Sequence, residues 1–233
     1  MSARLYYLLA LLPPLPALGD APPIDMAELL RIIDQERITD ARLLAEAFKF
    51  QAQLMQAATL KLLGYSAGDT AGTYSFGPDS PPVLIELFLR DVNEIGEDVW
   101  FTELWVEHLG FFHSVGKTLG SALLCRWAAW EKALRVQLQL ARTGAVDPGL
   151  KTGVIDAHDH RELIAEWRAA SDPMHGEKVL DQARMDFIET ESRRYSFGID
   201  ELAAYFLKLS LLTRHAQMDR LEGHKILEEV TAL

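Results

Sequence analysis

Two stretches of the chain carry residue types at spacings that chemistry can use. The first is Val154-Ile-Asp-Ala-His-Asp-His-Arg161. Asp156 with His158 and His160 is a donor set for zinc-dependent hydrolysis if it lies on a strand, because residues two apart then share a face. On a helix the same two imidazoles point about 200° apart and do not meet. The surroundings predict a helix. Leu163, Ile164 and Trp167 recur at helical spacing, and Asp156 and Asp159 stand at capping-box separation. The helix is expected to begin at Asp156, with His158 and His160 in its first turns as a solvated N-terminus. A barrel hydrolase also needs ~250 residues, and only about a third of this chain follows His160. A metal-dependent hydrolase using His158 and His160 stays as an alternative that bound zinc would establish.

The second stretch is Gly110-Phe-Phe-His-Ser-Val-Gly-Lys-Thr118. A phosphate-binding loop needs four residues between its first glycine and the Gly-Lys-Thr, so that backbone N–H groups can wrap a phosphate. Here five intervene, Phe111 to Val115, and the preceding ELWVEHLGFF has helical rather than strand patterning. Gly116-Lys117-Thr118 therefore reads as an interhelical turn, with no nucleotide on Lys117. The remaining histidines, His108, His113, His175, His215 and His224, show no HExxH spacing. Cys125, in the run LLCRWAAW, reads as a buried thiol acting as a small hydrophobe. Trp100, Trp105, Trp127, Trp130 and Trp167 lie on or beside apolar stripes and read as core. The carboxylate pairs Glu228-Glu229 and Glu189 with Glu191 read as solvated faces. The expectation is a chain without catalytic, cofactor-binding or metal residues.

Composition narrows the partners. The chain has 233 residues, 49% hydrophobic and 24% charged, which is ordinary for a folded protein with a sizeable core. A single cysteine excludes an internal disulfide and a cysteine-based zinc site. The net charge of −11, from 34 acidic and 23 basic residues, opposes binding to phosphate backbones, so no nucleic acid is expected. No uninterrupted apolar run of about 18 residues is present, so no direct membrane span is expected. The start, MSARLYYLLALLPPLPALGDA, is close to a secretory signal in pattern. Its short apolar run, single Arg4 and the prolines Pro13, Pro14 and Pro16 favour a short buried strand or helix ended by prolines.

Helical periodicity must position these residues. Met26, Leu29, Leu30 and Ile33 share a face, with Asp25 and Glu28 at capping-box spacing. A second helix is expected from Thr39 or Asp40 to Leu63, with Leu44, Phe48, Met55, Ala58 and Leu62 as its stripe, widened by Leu43, Ala47, Phe50 and Leu54. The Gly- and Pro-rich segment Gly64 to Pro82 reads as a long loop, and Ser80-Pro81 as the start of a helix carrying Leu84, Leu87 and Phe88. Glu97 to Phe112 is amphipathic. A helix from about Lys117 to Gly144 carries Leu119, Leu123, Trp127, Trp130, Leu134 and Leu138, and Asp172-Pro173 and Asp200 open the last two. The predicted fold is all-α: an elongated antiparallel helical bundle with little or no strand. It forms a single helical domain or two helical lobes, with the Gly64–Pro82 loop as an internal excursion.

The C-terminal third carries a family resemblance. Glu177-Lys-Val-Leu-Asp-Gln-Ala-Arg-Met185 precedes YSFGIDELAAYFLKLSLLTRHAQMDRLEGHKILEEV, Tyr195 to Val230. Asp181, Arg184, Phe197, Ala204, Tyr205, Lys208, Leu209, Arg214, Asp219 and Gly223 stand at the pattern positions. Tyr6-Tyr7-Leu8 with Leu12-Pro13, and Trp127 to Arg135, fit as well and in the same order. The chain resembles an uncharacterised bacterial family encoded among the genes for V-type ATPases. That family is itself similar, in length and helical character, to the funnel-shaped stalk component seated between the central shaft and the rotor ring. Departures are Met185 where the family tends to have Trp, Val136 in place of Asn, and His215 in place of Trp.

That resemblance implies a non-catalytic component of a rotary V-type ATPase, coupling the central shaft to the membrane rotor ring. Its partners would be the shaft subunits and the ring. It would be cytoplasmic and peripherally membrane-associated through the complex, with no nucleotide or other cofactor of its own. The alternative is a helical adaptor or assembly factor for that complex.

Overall fold

Capping and periodicity set the helices where the sequence signals them. The computed structural model describes residues 3–62, 86, 96–144, 159–192 and 197–231. Among these residues the elements are α-helices: α1 Ala3–Leu11, α2 Met26–Glu36, α3 Thr39–Leu62, α4 Glu97–Leu119, α5 Ala122–Thr143, α6 Arg161–Ala169, α7 Pro173–Ser192 and α8 Ile199–Thr231. The all-α expectation therefore stands. The loop expected over Gly64–Pro82, and the helix expected from Ser80-Pro81 with Leu84, Leu87 and Phe88, lie outside the described residues. None of the helices described is long and apolar enough to cross a membrane.

The chain divides into two compact units, one of residues 1–42 with 165–233 and the other of 43–164. In the first, Asp25 caps α2 by accepting from Glu28 N at 2.8 Å. The Glu28 side chain turns to Arg31 instead of closing a reciprocal box. Arg37 ends α2 in the left-handed region at φ 53°. Arg42 then ties the turn by donating to the carbonyl and carboxylate oxygens of Asp34, at 2.8 and 2.7 Å. The N-terminal run is a helix: Leu5, Leu8 and Leu12 are buried, and Pro13 and Pro14 follow, in line with the pattern of the sequence. Asp172 caps α7, its Oδ1 accepting from His175 N at 2.8 Å.

In the second unit, Leu44, Ala47, Phe48, Leu54 and Ala58 bury the expected stripe of α3, whereas Leu43 is exposed. Phe48 meets Phe112 and Lys61 lies over Trp100, so the contacts of α3 with α4 run in antiparallel order. The turn expected at Gly116-Lys117-Thr118 is instead the last turn of α4, which ends on Gly120 at φ 65°. Ser121 opens α5, its Oγ accepting from Leu124 N at 3.1 Å. Gly144 closes that helix at φ 70°, as its position predicts.

Candidate functional site

The described residues of the two sequence stretches that suggest chemistry are used for packing. Gly116 stands where α4 crosses α5: a Cβ there would lie 2.8 Å from Cys125 Sγ and 3.1 Å from its backbone N. Glycine is required by that close approach, not by a phosphate. Lys117 is exposed in the last turn of α4, a position that complements the helix dipole. Cys125 is half-buried, its thiol 3.6 Å from the His113 carbonyl oxygen.

His160 lies just before α6 rather than in its first turns, and it is buried, not solvated. Its carbonyl accepts from Ile164 N at 2.9 Å, the first bond of the helix. Asp159 Oδ1 takes the Arg161 N–H at 3.1 Å, holding the chain out of the helix until that point. The hydrogen bonds of the Arg161 side chain and backbone hold the Asp159 carboxyl at about 2. The His160 ring meets Trp130 edge-on at 4.9 Å. Its Nε2 donates to the Trp130 carbonyl at 3.2 Å, and its backbone N–H donates to Gln137 Oε1 at 3.2 Å. These bonds tie the entry of α6 to α5. Asp156 and His158 lie outside the described residues. Among the described residues no group of three or more His, Cys, Asp or Glu could hold a metal ion.

Other expectations divide. Trp100, Trp127 and Trp130 are buried as expected, and Trp127 stacks on Trp130 at 5.7 Å. Trp105 is half-buried beneath the Arg135 guanidinium, 3.5 Å from its ring centroid. Glu189 is exposed and pairs with Lys208 at 3.2 Å, but Glu191 is buried and not on a solvated face. His108 reads in the sequence only as one of the histidines without HExxH spacing. It is fully buried, with Phe112, Trp105, Phe50 and Phe111 around it. Among the described residues neither ring nitrogen has a hydrogen-bond partner, and burial, aided by the Arg135 charge, brings its pKa down to about 3. A single histidine amid aromatics gives no signal of this in the sequence.

Several described residues of the C-terminal pattern lie at the contact of two helices. On α7 and α8, the fully buried Asp181 accepts from Arg184 Nη1 and Arg214 Nη1, each at 2.8 Å. Arg214 also pairs with Glu177, one turn before Asp181. Helical spacing explains the set: Glu177, Asp181 and Arg184 recur at four and three residues and so share one face. Near the turn between the helices, Lys208 meets Glu189. Ala204 and Leu209 are buried in the core. Tyr205 Oη donates to the Pro13 carbonyl at 3.0 Å, and burial raises its pKa to about 12. That bond clamps the end of α1 to α8. Phe197 adopts φ 46° and meets Tyr6 at 4.9 Å. The side chains of Asp219 and Gly223 lie outside the described set.

Fold and site together define an all-α protein with an ion-locked antiparallel helical hairpin near its C-terminus. Residues 156–233, which hold that hairpin, match the model of a family described as a protein of unknown function (DUF2764). No curated protein and no solved structure matches the chain.

Proposed function

We propose that the chain is a non-catalytic component of a V-type rotary ATPase, acting as the stalk coupler between the central shaft and the membrane rotor ring. It would be cytoplasmic and held at the membrane through the complex. The reading rests on the resemblance carried by the C-terminal pattern and by the Tyr6-Tyr7-Leu8 and Trp127–Arg135 stretches. The observation that supports it is what the pattern positions do. Arg214 with Asp181 and Lys208 with Glu189 bond helix to helix, Arg184 braces Asp181 within α7, and Tyr205 bonds the Pro13 carbonyl. A buried carboxylate bonded to a side chain of the next helix favours one register, because a slip leaves that carboxylate short of a partner. A coupler needs that property, since torque passes only through elements that do not slip.

The test is a tagged full-length chain recovered from native membranes, with the stoichiometry of the complex read by mass spectrometry. One copy per complex, alongside catalytic and ring subunits, is the expected result. Substoichiometric recovery confined to assembly intermediates would make the chain an assembly factor. Recovery of no ATPase subunit from an intact complex would remove the reading.

A further inference from the structure

We draw no further inference here: the strongest candidate, the exposed apolar patch of Tyr6, Tyr7 and Leu11 on α1 with Phe197 against Tyr6, carries nothing, because nothing in the structure shows what covers it.

Discussion

Replacing His108 by leucine separates one buried titration from every other acid effect in the molecule. The imidazole is 0% exposed, with ring centroids of Phe112 and Trp105 at 4.7 and 5.7 Å, and both nitrogens lack partners among the described residues. Its folded-state pKa is about 3 against an ordinary 6.5, because burial and the Arg135 charge both disfavour imidazolium. Below pH 6.5 the unfolded chain takes up a proton that the folded chain refuses. Stability from this group is therefore whole above pH 6.5 and falls as pH drops towards 3. At pH 5 the loss is about 2 kcal/mol, and its limit near pH 3 is about 5 kcal/mol. At pH 7.5, His108→Leu should change stability by no more than about 1 kcal/mol, since it removes two unpaired polar atoms while altering the packing. Urea unfolding followed by tryptophan fluorescence suits the assay, because Trp100 and Trp105 lie in the same unit as His108. Between pH 7.5 and 5 the wild type should lose about 2 kcal/mol more than the variant, with all other titrations cancelling in the difference. Equal losses would show that the folded protein accommodates the charged ring, and the argument from burial would fail.

At Gly116, alanine should destabilise by about 1–3 kcal/mol in urea unfolding, although alanine is the better helix former. The cause is the 2.8 Å approach to Cys125 Sγ and the 3.1 Å approach to its backbone N, and a stabilised Gly116→Ala would refute that crossing geometry. In the hairpin, Asp181→Ala should cost about 3–5 kcal/mol, because it strips the shared carboxylate from Arg214 and from the buried Arg184. Arg214→Ala should cost only about 1–2 kcal/mol, since Asp181 keeps its bond to Arg184. Thermal or urea unfolding that reversed this order would refute the placement of Asp181 at the centre of the network.

Short-range signals carry much of the helix pattern. Asp25, Asp172 and Gly144 announce helix ends because capping is settled within four residues. Local signals misplace the α4–α5 turn for the same reason. Gly116 looks like a break in sequence, but the structure needs it for a tertiary approach to Cys125, which local propensity does not register. His160 looks solvated in sequence because its burial depends on Trp130 and Gln137, more than twenty residues away. Asp181 and Arg184 show their shared face through spacing, but nothing local to Arg214 identifies Asp181 as its partner across the hairpin. Tyr205 and Pro13 are 192 residues apart, and no periodicity links them.

A few groups of the first unit depart from the usual distribution of polar and apolar side chains. Asp181 and Arg184 are interior charges, while Tyr7 and Phe197 are exterior aromatics. An interior ion pair contributes little net stability, because desolvation offsets most of its Coulomb energy. The bond across the hairpin from Arg214 favours one register: a one-turn slip of α8 along α7 would part Arg214 from Asp181 and leave a buried carboxylate short of a partner. Phe197 sits just ahead of α8, so the register of the hairpin also sets where its ring stands against Tyr6. The Tyr205 bond to Pro13 fixes the other edge of the same patch. The inward charges and the outward aromatics are thus one arrangement, in which a hairpin of fixed register holds an apolar face in one place.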